Sequence, residues 1–349
     1  MTDADGMTVG IDIGGTKTLA IGIDDRGEVL GRVRLASGYG AEHVLSAAVE
    51  AAGRLGAELP GRTIRRVGIG IPGTVDHESG EVQQALNLGL EHVALGSALA
   101  SRLGVPVHVE NDVNAAALGA LSLRSSREGG APALRSLSEG AARVEGPAAS
   151  IAYLNLGTGL AVGLVLDGRL WRGVSGAAGE IGHVPLDPDG PECVCGLRGC
   201  LEVLASGSGI ARQWGEGVPT ARELGELAAA GDERASAIFD RLVWGVASAI
   251  RLIVLAQDVE RIVLGGGLAD ALGERLVEPV VRTLGGWEAA SPFLASVGPS
   301  ARVVLAPPDA PLAAVGAALA ALDAASGADA SGPRPLSEAG ARVEGGRHG

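Results

Sequence analysis

Aromatic side chains are almost missing from this 349-residue chain, at 2% of its residues, so Val, Ile, Leu and Ala must fill its core. Long apolar runs are missing too. The one near Leu252 is broken by Arg251 and Gln257, which argues against a membrane span. An excess of positive charge is absent: the formal net charge of -13 excludes the usual electrostatics of nucleic-acid or anionic-membrane partners. The residues after Met1 are polar (Thr2, Asp3, Asp5), with no basic stretch leading into an apolar core. No signal peptide is read there, and a cytoplasmic location is expected.

Cysteine is also scarce, yet its three copies fall in one eight-residue window, Cys193, Cys195 and Cys200, with His183 just upstream. Gly196 and Gly199 allow the backbone to bend between them. One imidazole and three thiolates are the donor set of a closed, tetrahedral structural zinc site. The alternative is a disulfide with a free thiol. It suits the pattern poorly, because two of the cysteines are nearly adjacent, the count is odd and no secretory context is visible.

The length predicts two domains sharing a cleft. Residues 8–13, 19–23 and 28–35 read as strands joined by tight turns, an antiparallel meander. A helix at 41–59, a buried strand at 66–71, a helix at 93–103, a strand at 105–110 and a helix at 112–123 follow. The grammar then recurs: strands at 150–156, 160–166 and 169–171, a long helix at 234–256, a strand at 261–264, a helix after 267, a strand at 302–305 and an Ala-rich helix at 311–322. Two such passages imply a duplicated α/β fold. Residues 1–123 with the helix at about 311–324 are expected to form the first domain, and 149–310 the second. The segments 124–148 and 325–349 are rich in Ser, Gly, Arg and Glu and are expected to be disordered. They share a decapeptide, LSEGAARVEG at 137–146 and LSEAGARVEG at 336–345, to which no function is assigned.

Three glycine turns stand at strand ends. In Asp12-Ile13-Gly14-Gly15-Thr16-Lys17 the glycines let backbone amides approach a phosphate, Thr16 adds a hydroxyl and Lys17 a cation. Asp12 is placed to hold Mg²⁺ through water. Gly157-Thr158-Gly159 repeats this chemistry in the second half, and Gly265-Gly266-Gly267 gives a flat group such as adenosine a bare backbone to lie on. No Walker-type pattern occurs at these turns. Glu110-Asn111-Asp112 sits where a strand meets a helix; Asp112 is either a helix cap or a base that accepts a hydroxyl proton, with Asn111 orienting that hydroxyl. The segment Ile71-Pro72-Gly73-Thr74-Val75-Asp76 is expected to wall the site opposite, with Gly73 against the substrate. Glu180 and Glu202 flank the cysteines, and with His183 they suit a polyhydroxylated ligand.

On these residues the chain resembles the ROK family of sugar kinases and related repressors, most of all its bacterial glucokinases. The carrying motifs are the phosphate turn from Asp12, Glu110-Asn111-Asp112-Val113-Asn114, Leu156-Gly157-Thr158-Gly159, Gly179-Glu180-Ile181-Gly182-His183 and the run Cys193 to Glu202. The resemblance implies the two-domain fold shared by actin and hexokinase. It implies Asp112 as general base and Asn111, Asp112, Glu180, His183 and Glu202 as sugar contacts. Gly14, Gly15, Thr16, Lys17, Thr158, Gly159, Gly266 and Gly267 would surround ATP. The implied reaction moves the γ-phosphoryl of Mg-ATP to the 6-hydroxyl of glucose, in a homodimer or homotetramer. Alternatives are another hexose (N-acetylmannosamine, N-acetylglucosamine or fructose), polyphosphate as donor, a sugar-responsive regulator without its DNA-binding domain, or a silent sugar sensor. Ala161 departs from the family pattern, which has glycine there.

Overall fold

The computed structural model describes residues 6–25, 27–122 and 150–326. The segment 124–148 and the tail beyond residue 326 lie outside them, with both copies of the decapeptide. Strands β1 (Gly6–Ile13), β2 (Lys17–Ile23) and β3 (Val29–Ala36) form the antiparallel meander, with Ile13 opposite Thr18 and Lys17 opposite Ala36. Helix α1 (Ala41–Glu58) buries the face that carries Val44, Ala48, Ala51 and Leu55. It is the crossover that a parallel partner for β1 requires, and β4 (Thr63–Ile71) supplies that partner. Helix α2 (Leu95–Leu103) leads to β8 (Val107–Asn111), parallel to β4, and then to α3 (Asp112–Ala120).

The second half repeats this plan. Strands β9 (Ile151–Leu156), β10 (Leu160–Leu166) and β11 (Arg169–Leu170) are antiparallel, while β12 (Arg261–Gly265) and β13 (Val303–Leu305) add on in parallel. The two sheets have the same strand order, β3-β2-β1-β4-β8 and β11-β10-β9-β12-β13, as a duplication demands. Between β11 and β12 lie the cysteine loop and four helices, α4 (Leu201–Ala205), α5 (Gly207–Trp214), α6 (Ala221–Ala229) and α7 (Glu233–Gln257). Helices α8 (Gly267–Leu272), α9 (Glu274–Ala290) and α10 (Pro292–Val297) precede β13, and α11 (Leu312–Ser326) closes the described chain.

Helix α11 returns to the first sheet, lying on β1 and β4, and crosses α3, which in turn packs on β9 and β10. The contacts are backbone to backbone. A β-carbon on Gly68 would collide with the Ala317 carbonyl, one on Gly119 with that of Leu312, and one on Gly163 with that of Val113. The shortage of large side chains is thus how two helices fit between two sheets. Larger aliphatic side chains fill the outer layers: Leu55, Ile69 and Leu99 under the first sheet, Leu242, Ile250 and Leu276 under the second. Ala161 packs beside the α3–α11 cluster, so its methyl is absorbed by the interior.

Two expectations need correction. A small antiparallel sheet of β5 (Thr74–Asp76), β6 (Glu81–Ala85) and β7 (Leu90–Val93) stands where none was read. Its strands are short and half polar, so they carry little of the alternation that marks a strand. Helix α3 ends at Ala120 and not near 123: the Ser122 hydroxyl donates to the Gly119 carbonyl, competing with helical continuation.

Candidate active site

Strand β8 delivers Glu110, Asn111 and Asp112 to the edge of the first sheet, and each takes a different task. Asn111, not Asp112, caps α3: its Oδ1 accepts from Val113 N (3.0 Å) and Asn114 N (3.1 Å). Its Nδ2 donates to the Gly73 carbonyl at 3.1 Å, which ties the cap to the opposing wall. Glu110, only 2% exposed, turns inward. Its Oε2 accepts from Arg172 Nε at 2.8 Å and Nη2 at 2.7 Å, while Oε1 accepts from Asn111 N and Asn114 Nδ2. This ion pair joins the two halves, since Arg172 stands two residues after the end of β11, and its carbonyl accepts from Ala178 N on the way to Glu180. Trp171, beside it, donates its amide to Leu164 O.

Asp112 is left for the cleft. Its Oδ1 accepts from Val113 N at 2.9 Å. Burial lifts its pKa to about 6, opposed by its backbone hydrogen bonds and reinforced by the nearby charge of Glu180. Asp12, at the end of β1, is pushed to about 7, by burial first and then by Asp112, with Lys17 opposing. Two close carboxylates that resist ionising together suit a hard divalent cation held by oxygen ligands, and Asp12 is the residue of the pair on the side of the first glycine turn.

The glycine turns close on this pair. Gly14 N donates to Lys17 O at 2.9 Å, and Gly157 N to Gly159 O at 3.0 Å, so both turns are tight and self-contained. The Gly157 and Thr158 carbonyls accept from the amides of Gly207 and Ser208, which fixes the second turn to the start of α5. Gly266 has φ 90°, and a β-carbon there would lie 2.6 Å from Asn155 Oδ1 and 2.7 Å from Leu156 O; only glycine fits.

Asp12, Thr16, Lys17, Asp112, Gly157, Thr158, Gly266 and Gly267 line one cleft of about 750 Å³. Gly14, Gly15, Gly159 and Gly265 shape the turns without lining it, and Gly73, Asn111, Glu180, His183 and Glu202 lie outside that lining. Glu202 is held against the second turn, accepting from Leu160 N at 3.2 Å. Reading the sequence missed Arg34, Tyr153, Asn155, Ser208, Asp270 and Asp309, which also line the cleft. Tyr153 and Asn155 sit at alternate positions of β9 just before the second turn, a period-two signal that was present to be read.

The cysteine loop is compact. Cys193 Sγ lies 3.5 Å from His183 Nδ1 and Cys195 Sγ 3.7 Å from Cys200 Sγ. A tetrahedral ion with Zn–S of about 2.3 Å and Zn–N of about 2.0–2.1 Å needs separations close to these, so these two pairs fit the group, while Cys200 stands outside the three donors that cluster mutually. The donor atoms of His183, Cys193 and Cys195 all lie within 4.8 Å of one another. Burial pushes the Cys200 thiol up to about 12. Gly199 has φ 62°, and a β-carbon there would collide with the Asp187 carbonyl.

Two sheets of one topology, with a glycine-turned cleft and a perturbed carboxylate between them, define the actin/hexokinase-like class. The ROK family model matches residues 8–128 and 134–322, and the chain belongs to the ROK family. It is 30% identical over 299 residues to a glucokinase of Halalkalibacterium halodurans, covering 79% of this chain and 84% of that one. It is 30% identical over 267 residues to an N-acetylmannosamine kinase of Haemophilus influenzae, covering 75% and 81%. The solved structure of a ROK family glucokinase from Streptomyces griseus with glucose and AMPPNP superposes with a TM-score of 0.68 at 29% identity, over 91% of this chain and all of that one.

Proposed function

We propose that this protein is a sugar kinase that transfers the γ-phosphoryl group of Mg-ATP to a hexose hydroxyl, with the 6-hydroxyl of glucose as acceptor. The observation that carries the reading is Asp112: a carboxylate raised to about 6, facing a cleft that both hydroxyl-bearing glycine turns line. The likeness to glucokinases supports the choice of sugar. Asp112 takes the proton of the acceptor hydroxyl. The freed oxygen bonds to the γ-phosphorus as the bond to the β,γ-bridging oxygen breaks, and ADP leaves with that electron pair. Thr16, Thr158, the turn amides and Lys17 hold the phosphates in line, and positioning with electrostatic support is most of what phosphoryl transfer needs. Mg²⁺, held by Asp12 through water, neutralises phosphate charge when bound. Glu180, His183 and Glu202 are the proposed hydroxyl contacts, with Asn111 and Gly73 behind them.

A coupled assay with Mg-ATP and a panel of hexoses tests this. Glucose should give the highest kcat/KM. A preference for N-acetylmannosamine would support the second reading, which the Haemophilus influenzae relative favours. Turnover of no hexose would overturn the proposal. Among the described residues no helix is long and apolar enough to cross a membrane, and the enzyme is proposed to work in the cytoplasm as a homo-oligomer.

Zinc is proposed as a structural ion held by His183 Nδ1, Cys193, Cys195 and Cys200. It would stiffen the loop between Glu180 and Glu202 and leave His183 Nε2 free to meet a hydroxyl. Protein purified without added metal should contain about one zinc per chain, as a closed four-ligand site binds. Cys195→Ser should reduce that content and lower the thermal midpoint and the sugar affinity together. Metal-free protein with unchanged stability and activity would exclude the site.

A further inference from the structure

A buried carboxylate is costly unless it is paired and hydrogen-bonded, and Glu110 is both. Its two oxygens face different parts of the molecule. Oε1 accepts from Asn111 N at 3.0 Å and Asn114 Nδ2 at 3.1 Å, so it holds residues on either side of Asp112. Oε2 accepts from Arg172 Nε at 2.8 Å and Nη2 at 2.7 Å, a fork that fixes the direction of the guanidinium as well as its distance. One side of the carboxylate thus grips the residues that present Asp112, and the other grips the second half.

Arg172 carries the tie onward through its own main chain. Its carbonyl accepts from Ala178 N at 3.2 Å, and the Ala177 carbonyl accepts from Glu180 N at 3.4 Å. Gly179, at φ 96°, lies so close to Val162 O that a β-carbon would collide there, and its carbonyl accepts from Val162 N at 2.9 Å. The loop from Arg172 to Glu180 is therefore clamped at both ends, by the ion pair and by β10. Glu180 stands near enough to Asp112 for its charge to act on it. On the far side, Asn111 Nδ2 holds the Gly73 carbonyl. The base, the Gly73 wall and the loop bearing Glu180 form one bonded unit, joined across the halves by the Arg172 fork.

We propose that Arg172 is a positioning residue of the transfer: through Glu110 it sets where Asp112 stands, and through its main chain where Glu180 stands, so the two sides of the acceptor site keep one spacing. Its effect on turnover rests on the kinase reading, and its effect on sugar binding only on the acceptor site lying at Asp112 and Glu180.

Arg172→Met, Arg172→Lys and the double variant Arg172→Met with Glu110→Gln are compared with the wild type at a temperature where each is folded. In Arg172→Met the kcat with glucose should fall at least about 10-fold, since misplacing a reacting group by about 1 Å costs up to about 100-fold. The glucose dissociation constant from titration calorimetry should rise about 10-fold, as the loss of well-placed hydrogen bonds implies. That for Mg-ATP should stay within about 2-fold, because neither partner of the ion pair lines the cleft of the glycine turns. The double variant separates position from stability. Removing the stranded charge should return part of the lost stability, while kcat and glucose affinity stay low because no fork spans the halves. Arg172→Lys, with a point charge in place of the fork, should fall between the wild type and Arg172→Met. Wild-type kcat and glucose affinity in folded Arg172→Met, or a return of both with stability in the double variant, would overturn the proposal and leave the pair a structural one. A wild type that binds glucose yet phosphorylates no hexose would sink the kinase reading, and weaker glucose binding by Arg172→Met would still support the tie. Normal turnover by both the wild type and Arg172→Met does the reverse.

Discussion

Asp112→Asn is expected to lower kcat by at least about 100-fold, the lower end of what a positioned general base contributes. The substitution is nearly isosteric and keeps an oxygen to accept from Val113 N, so α3 should start as before. Sugar affinity should fall much less, the pattern of an interaction needed mainly in the transition state. Wild-type kcat/KM should rise with pH through about 6, because the ionised carboxylate accepts the proton and protonation removes it. The variant should lose that limb. Stability runs the other way. A carboxyl whose folded pKa is raised contributes stability that is present below the ordinary carboxylate range and is lost as pH rises through about 6. The form the reaction uses is therefore the less stable one, and at pH 8 Asp112→Asn should melt no lower than the wild type. Near-normal kcat in the variant would reduce Asp112 to a structural residue.

Arg172→Met is expected to destabilise the protein by about 3–5 kcal/mol, the range for stripping one partner from a buried ion pair. Glu110 would keep its hydrogen bonds from Asn111 N and Asn114 Nδ2 but lose its counter-charge while 2% exposed. Since the Arg172 carbonyl also anchors Ala178 N, Arg172→Met tests the side chain alone and leaves that main-chain bond in place. Urea unfolding measures the loss. Adding Glu110→Gln should recover part of it, because the amide removes the stranded charge. A change below about 0.5 kcal/mol, the range of ordinary surface substitutions, would mean that the pair is solvated and unimportant.

The duplicated meanders were legible because β1, β2, β9 and β10 are apolar runs closed by Gly or Asp turns, the plainest signal a sequence offers. The glycine turns and Asp112 could be picked out for the same reason: each stands at a strand end. The cap was not. Both Asn111 and Asp112 are good N-cap residues, and only the backbone decides which side chain reaches back to Asn114 N. The Glu110–Arg172 pair spans 62 residues and two sheets, and nothing local marks it. Tyr153 was hidden in an apolar strand, where a tyrosine reads as core until its hydroxyl is seen at the cleft.

The scarcity of aromatics has an optical consequence. All four tryptophans, Trp171, Trp214, Trp244 and Trp287, belong to the second half, so the first half is dark to tryptophan fluorescence. Trp214 and Trp287 lie under the guanidinium groups of Arg234 and Arg251, on the helical side of the second sheet. Trp171 alone sits at the junction with the first half, next to the arginine that crosses to Glu110, and it is 39% exposed. Any change in how the two halves meet alters the solvent around that one indole, and the emission of the whole protein carries it without an added label.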